Sequence, residues 1–478
     1  MQRGRKTGKP GRPAEDGPEA GGTRGAQSDV TRNTANTDSA TGVKPERGLL
    51  EMILNADNMF DAQERVLSDK GAAGTDGMTV DGLNGYPVKN YRELCESIRG
   101  GWYKPKPVRR VEIPKPDGWV RLLGVPTVID RMVQQAMVQV LQPIFEQTFP
   151  YNSYGFRPKR EAHRAVQKAK KYYGEGYTHA VDPDLEKYFD TVNHDLLIKT
   201  VRETVKDEQV MALIRKFLKS GAMTGGLVSQ TERGTPQGGN LPPLLSDIYL
   251  TKFDRMLEER GHKFVRYADD CNIYVKSLRA AGRVMEGRIK YLEGKLRLKV
   301  NRKKSTAGSP AKLKFPGFSL YGINGKTGIR VHGKPLERFR KRLKAITGRK
   351  RGGKIGRIPR GLIRYINGRL AYYRIADIRS ILQTNNEWLR RRIRQFYWKR
   401  RKKVRTRFEN LITLGVPGDK AWQRANTRKS YWRTAKSRIL ATTLNNRHLE
   451  PPGFPNLLKR YEELRERAML LEMLRGTC

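Results

Sequence analysis

Cysteine is nearly missing from this sequence. Cys95, Cys271 and Cys478 are the only three, far apart and without a C-x-x-C pair, which excludes a disulfide framework or a cysteine zinc finger. That usage fits a reducing cytosol. The six histidines stand singly and no H-E-x-x-H occurs, so each is expected to be an ordinary packed or surface imidazole. There is no apolar run of the roughly 18 residues that would suggest a membrane span. The opening MQRGRKTGKPGRP also lacks the apolar stretch of a secretory signal, so the expectation is a soluble, unexported chain with no membrane partner. A P-loop is excluded too: NGKTG contains G-K-T, but the motif's first glycine would have to stand where Leu320 does. No internal repeat is visible.

Acid is the other shortage. Lys and Arg total 96 against 48 Asp and Glu, a formal charge of +48 with a pI near 10.4. Such an excess calls for a polyanionic partner, and nucleic acid is the obvious one. The 478 residues allow two or three domains, each large enough for a core of its own.

Along the chain, residues 1–45 contain no Leu, Ile, Phe, Tyr or Trp, too little apolar surface to offset the entropy of ordering, and read as a disordered tail. GLLEMILNADNMFDAQERVL then takes up helical spacing, followed by the loop-like GAAGTDGMTVDGL. VRRVEIPKPDGWVRLLGV (108–125) reads as a hairpin around Pro116-Asp117-Gly118, with Lys115 and Arg121 flanking the turn. VIDRMVQQAMVQVLQPIFEQTF is helical and stops near Pro150; 196–219 is helical again. Strands alternating with helices through this region argue for an α+β or α/β body. Beyond about residue 333 the character shifts. WLRRRIRQFYWKRRKKVRTR (388–407) holds 11 basic residues and no acid, a basic amphipathic helix whose self-repulsion is costly unless phosphates lie opposite.

The acids that are present cluster tellingly. In RYADDCNIYVK, strand-like residues lead in and out, so Asp269 and Asp270 fall at the tip of a hairpin, where both carboxylates can approach one centre. A third acid is available in VDPDLEKYFD, where Asp182, Asp184 and Asp190 compete. Asp184 is preferred, because Asp182 precedes a proline while Asp184 leads into Leu185 and the pair Tyr188-Phe189. Three such acids make a hard-cation site of the kind that phosphoryl or nucleotidyl transfer by two magnesium ions requires.

In order along the chain, GTDGMTVDGL, IPKPDGWVRLLGVPTVIDRMVQQ, YNSYGFRPKREAHRAV, DLEKYFDTVNHD, TPQGGNLPPLLSDIYL, YADD, KVNRKKS, LKFPGFSLY, RRRIRQFYWKRRKKVRTR and ANTRKSYWRTAKSRIL resemble the blocks of the reverse transcriptase/maturases encoded by group II introns. The resemblance implies an α+β right hand: fingers and palm with an antiparallel sheet over 46–332, a helical thumb or maturase domain over 333–410, and a small basic C-terminal nucleic-acid-binding segment over 411–478. It implies that Asp184, Asp269 and Asp270 bind two Mg²⁺ ions. Phe189 would sit beneath the sugar and leave no room for a 2′-hydroxyl. Lys115 and Arg121 would grip the incoming triphosphate, Gln237 would approach the nucleotide and template with Gly238 and Gly239 permitting close backbone, and Lys304 would stand near the leaving pyrophosphate as a general acid. Arg390, Arg391, Arg394, Lys399, Arg400, Lys402 and Lys403 would face nucleic acid.

Departures from the family pattern are Leu122 where Pro is usual, Pro242 where Ser is usual, Asp247 where Asn is preferred, and an unusually basic KVNRKKS; tuning of loops is the expected consequence. The H-N-H endonuclease with paired cysteines that many relatives carry is not found, resembling the class that primes from existing strands. The function implied is RNA-directed DNA synthesis on intron RNA from a DNA primer with dNTPs, together with intron binding that assists splicing and mobility, in the bacterial cytosol or nucleoid. Two other readings stand beside it: a splicing-only RNA-binding maturase, against which the intact D…YADD set argues, and a domesticated reverse transcriptase of the same fold, as in retrons, diversity-generating elements or defence systems. Trp388, Tyr397, Trp398 and Trp432 would stack on unpaired bases or fill the thumb core.

Overall fold

The computed structural model describes residues 48–114, 120–348 and 357–476. The expected tail, Lys115 and the turn Pro116-Asp117-Gly118 lie outside the described residues. The chain enters through α1 (Leu49–Ile53) and α2 (Ala56–Ser68), two helices where the apolar spacing suggested one, because Asn55 accepts the Asp57 amide and starts a new N-terminus. After α3 (Val88–Arg99), β1 (Val108–Pro114) and β2 (Val120–Val125) form the expected hairpin, in register from Arg109 opposite Val125 to Pro114 opposite Val120.

Helix α4 (Val128–Glu146), capped by Thr127, runs through the first core; α5 (Ala162–Gly174) leads to β3 (His179–Asp182) and the short α6 (Tyr188–Thr191). The helix expected over 196–219 is two, α7 (His194–Thr204) and α8 (Glu208–Leu218), since Asp207 accepts the amides of Gln209 and Val210 and caps a second start. Strands β4 (Ala222–Thr224) and β5 (Leu227–Ser229) complete a fingers sheet of order β2-β1-β4-β5. Helix α9 (Leu241–Glu259) then delivers the chain to β6 (Lys263–Tyr267) and β7 (Asp270–Val275); α10 (Leu278–Gly294) and β8 (Thr306–Gly308) follow. The palm sheet has order β6-β7-β3-β8, antiparallel throughout. Strands β6 and β7 bury both faces, as the runs at 264–265 and 271–275 show.

The hairpin β9 (Phe318–Ile323) and β10 (Lys326–Val331) opens onto helices α11 (Gly333–Ile346), α12 (Arg357–Tyr373) and α13 (Arg379–Arg400). Then come α14 (Val404–Thr413), α15 (Gly418–Ala425), α16 (Tyr431–Thr434), α17 (Arg438–Thr443), α18 (Asn446–Leu449) and α19 (Leu457–Gly476). The fold is thus the α+β right hand of fingers, palm and helical thumb. The single basic helix expected over 388–407 breaks at Arg401–Lys403. Residues 399–403 are all cations, which places like charges three and four apart without one acid to relieve them.

Three apolar cores hold these elements. The first runs from Leu50 to Val300 and joins the N-terminal helices to one face of the palm. The second joins the other palm face, through Val265 and Tyr274, to the thumb and on to Tyr461. The third is small, built around Trp398 and Leu411 and reaching Leu444. Trp398 is therefore core, while Trp388, Tyr397 and Trp432 are only half-buried.

Candidate active site

The palm sheet places the acids. Asp182 is the last residue of β3, held between β7 and β8, and Asp184 lies two residues beyond the strand end. The segment after Asp182 is fastened to the KVNRKKS stretch. The Asp184 amide donates to Ser305 Oγ at 3.0 Å and its carbonyl accepts from Asn301 at 2.8 Å, while Glu186 donates to the Lys299 carbonyl at 2.8 Å. Lys304, adjacent to Ser305, sits in the same turn on the exposed side. Across β3, the β6–β7 turn is two residues, Ala268 and Asp269, with Tyr267 paired to Asp270.

These carboxylates feel one another. Burial, then the charges of Asp270 and Asp184, push the Asp182 carboxyl up to about 7. Burial in a recess, then Asp269, push Asp270 up as well, although its side chain still reaches solvent; Lys314 pulls both the other way, and Asp184 adds to the push on Asp270. The arrangement therefore brings Asp184, Asp269 and Asp270 to one end of the sheet and adds Asp182. Asp182 ends β3 just before Pro183, so the proline falls outside the strand's ladder.

A buried ionic centre underlies the turn. Arg266 is fully enclosed: Nε donates to Asp254 at 2.9 Å, Nη1 to Asp247 at 2.7 Å and to the Ala268 carbonyl at 3.0 Å, and Nη2 to Ser153 Oγ at 2.6 Å. Burial alone would lower this guanidinium, but Asp254 and Asp247 outweigh it and hold its proton firmly. Ala268, held by that bond, takes a left-handed φ of 56°. Gly155 packs so tightly on the turn that a Cβ there would lie 2.0 Å from the Ala268 nitrogen. Asp247 and Pro242 lie in α9 and Leu122 in β2, so none of the three departures is the loop tuning expected; Asp247 completes the ionic centre.

Between fingers and palm lies a recess of about 190 Å³ lined by Arg110, Leu122, Phe189 and Gln237 among others. Phe189 is buried, edge-on to Tyr188 at 5.1 Å between ring centres. Gln237 Oε1 accepts from Arg121 Nε at 2.6 Å and its carbonyl accepts the Gly124 amide at 2.7 Å, so the PQGG loop is tied to the fingers hairpin. Gly238 has φ 132°, and a Cβ there would lie 2.4 Å from the Gly124 carbonyl oxygen. Phe189 and Gln237 thus line one recess, and Arg121 is tied to it through Gln237.

The thumb cations divide. Arg390 is buried, donating to the Phe454 carbonyl at 3.3 Å and pairing with Glu450 at 3.4 Å; burial pulls it down to about 10. Arg391 donates to the Trp432 carbonyl at 3.0 Å with its guanidinium 3.9 Å from that ring's centre, and Arg394 donates to the Leu444 carbonyl at 3.2 Å. These three face inward, opposite to the expectation for nucleic-acid contacts, because backbone carbonyls of the C-terminal helices turn toward α13. Arg400, Lys402 and Lys403 are exposed and Lys399 half-exposed.

As to a metal, the donor type fits a hard divalent cation: carboxylate oxygens that repel one another around a recess. Among the described residues, no group of three or more His, Cys, Asp or Glu side chains is drawn together closely enough to hold an ion as it stands. The fit therefore rests on donor chemistry and charge. No described helix is long and apolar enough to cross a membrane.

Comparison with known proteins aligns with this geometry. Residues 113–320 match the family described as reverse transcriptase (RNA-dependent DNA polymerase), and residues 336–413 match the group II intron, maturase-specific domain. Protein YkfC of Escherichia coli (strain K12) is 35% identical over 297 residues, covering 54% of this chain and 78% of that protein. The group II intron-encoded protein LtrA of Lactococcus lactis subsp. cremoris is 34% identical over 254 residues, covering 53% of this chain but only 42% of its own length. Among solved structures, a chain of the partial Cas6-RT-Cas1–Cas2 complex overlaps at a TM-score of 0.34 and 21% identity, over 52% of this chain and 43% of that one, too slight to carry an argument.

Proposed function

Since this chain belongs to the group II intron-encoded reverse transcriptase/maturase family, and is by that membership an RNA-directed DNA polymerase, we propose that it copies intron RNA into cDNA from a DNA 3′-end and assists the splicing of that RNA. The observation that carries the reading is the shared sheet end of Asp184, Asp269 and Asp270, where the charges of the first two raise the third.

Those three side chains would hold two Mg²⁺ ions, which when bound supply Lewis acidity at the attacking oxygen and neutralise charge on the leaving phosphates. The remaining work falls to the chain itself. Arg121, with Lys115 beyond the described residues, would orient the triphosphate, and its bond to Gln237 couples that grip to the template side. Phe189 would exclude a ribose by occupying the space beneath C2′. Lys304 would deliver a proton to the departing pyrophosphate. On the thumb, taken as 333–410 with 411–478 as a basic C-terminal segment, Lys399, Arg400, Lys402 and Lys403 would contact phosphates, and the dNTPs, intron RNA and DNA primer would all be met in the cytosol or nucleoid.

Primer extension on an RNA template with dNTPs and Mg²⁺ tests this. The expected result is cDNA from the unmutated protein, a loss on the order of a thousandfold or more in Asp269→Ala, and no product from rNTPs. RNA binding without any cDNA would leave a splicing-only maturase and sink the polymerase reading.

A further inference from the structure

Between α4 and α5 the chain reads YNSYGFRPKR (151–160), and its Phe and Arg exchange the places that hydrophobicity assigns them. Phe156 is 45% exposed, whereas Arg157 beside it is 6% exposed. The arginine is held inside by the Glu146 carboxylate, which accepts from Nη2 at 2.6 Å, and by the carbonyls of Pro150 and Ser153, which accept from Nη1 at 2.6 and 2.9 Å. Phe156 also has a φ of 56°, in the left-handed region that a bulky side chain rarely adopts. Its neighbours leave the backbone no way out. The Tyr154 amide donates to the Arg266 carbonyl at 2.9 Å, the Arg266 amide donates to the Asn152 carbonyl at 2.9 Å, and buried Gly155 rests on the backbone of Ala268. An exposed phenyl ring on a strained backbone is a cost that nothing around it offsets, and outliers over-determined in this way cluster where a protein meets its ligand.

Topology fixes where the residue stands. Ser153 is bridged in parallel to Arg266, so the segment 152–156 runs along the outer edge of β6 and heads for the same end of the palm sheet as the β6–β7 turn. Gly155 lies against Ala268 of that turn, so Phe156 emerges at the sheet end that carries Asp184, Asp269 and Asp270. The recess lined by Phe189 and Gln237 is reached beyond the end of β3, and Phe156 is on the opposite flank, outside β6. With a nucleotide entering from the recess and a primer ending at the acids, the duplex already made lies toward Phe156. A phenyl ring carries no charge and no hydrogen-bonding group, so phosphates and base edges gain nothing from it. The sugar face of a strand is the surface it fits. Lys159, exposed three residues further on and also left-handed at φ 58°, offers a cation to the adjoining phosphate.

We infer that Phe156 is a positioning residue for the primer: its ring packs on the sugars of the last primer nucleotides and holds the 3′-end at the acids, whatever the base sequence. The inference rests on the reading of Asp184, Asp269 and Asp270 as the catalytic end of the sheet.

The test uses the full chain and a labelled DNA primer annealed to an RNA template. Three quantities are measured: the thermal midpoint, the affinity for the primer–template by fluorescence anisotropy with no dNTP present, and the KM for dNTP in primer extension. Phe156→Gly removes the ring and accepts a positive φ without strain. The expected result is a thermal midpoint at or above that of the unmutated chain, a primer–template bound about tenfold more weakly, and a dNTP KM within about twofold. Phe156→Tyr, which keeps the ring, should bind the primer–template as the unmutated chain does. Loss of stability with loss of the ring would mark a packing residue. Unchanged affinity in Phe156→Gly, a lowered midpoint, a dNTP KM that rises in proportion to the lost affinity, or an equal loss in Phe156→Tyr would each overturn the inference. Affinity is read without turnover, so an unmutated chain that binds the primer–template but makes no cDNA would strike the polymerase reading alone, and the two failures are told apart.

Discussion

Palm and thumb each bury an arginine, and they neutralise it differently. Arg266 in the palm is met by two equally buried carboxylates, Asp247 and Asp254, and its last donor secures the turn that carries Asp269. Arg390 in the thumb is met by one half-exposed glutamate and a backbone carbonyl, with Arg391 and Arg394 beside it satisfied by carbonyls as well. Counter-ions fix direction and distance, which suits a place where a turn must be aimed. Carbonyls satisfy hydrogen bonds without supplying a counter-charge, which suits residues whose work is to fasten the C-terminal helices to α13.

The sharpest way to break this comparison is to remove each arginine without changing volume much. Arg266→Met strands two buried carboxylates and should cost about 3–5 kcal/mol of unfolding free energy by urea titration, with cDNA synthesis lost in step. Arg390→Met releases a glutamate that reaches solvent and one carbonyl, so about 1–2 kcal/mol is expected. Equal costs would mean that the two devices are equivalent.

The joint between the regions can be probed by pH. His163 of α5 donates Nε2–H to the Tyr372 carbonyl of α12 at 2.6 Å, and burial holds its ring below the ordinary 6.5 despite that bond. The unfolded chain therefore takes up the proton first, so this group's contribution to stability is present above 6.5 and lost as pH falls below it. Acidification should lower the thermal midpoint of the unmutated chain more than that of His163→Gln; the difference between the two profiles isolates this residue from His194, also held neutral by burial. The smallest effect is expected at the exposed end of the basic run. Lys402→Ala with Lys403→Ala should leave stability within about 0.5 kcal/mol, yet reduce the salt slope of RNA binding by about one for each phosphate that is no longer neutralised.

Much of the fingers and palm was legible because strands there announce themselves by period: the paired strands within 108–125 and 263–275 fall where alternation puts them. Helix breaks at Asn55 and Asp207 were not, because one capping side chain can interrupt an apolar rhythm that continues on both sides. The acids at 184, 269 and 270 could be found from spacing and resemblance, but Asp182's part in their electrostatics depends on which strand ends beside which. The inward turn of Arg390, Arg391 and Arg394 had no signal in sequence. Their partners are main-chain carbonyls dozens of residues away, and a carbonyl belongs to every residue alike.

The second core has a consequence for how the molecule comes into being. Residues 50–300 can close their own core while the chain is still being made, but the other core waits for Leu457 and Tyr461, whose hydroxyl donates to the Ala376 carbonyl. Synthesis proceeds at roughly 5–20 residues per second. The palm therefore emerges closed on one face, while the other carries only α5, with Tyr172 against Tyr274, until the rest of that core is added. A ribosome that stops near residue 410 would release a chain whose second core, without Leu449, Phe454, Leu457 and Tyr461, stays open at its thumb end.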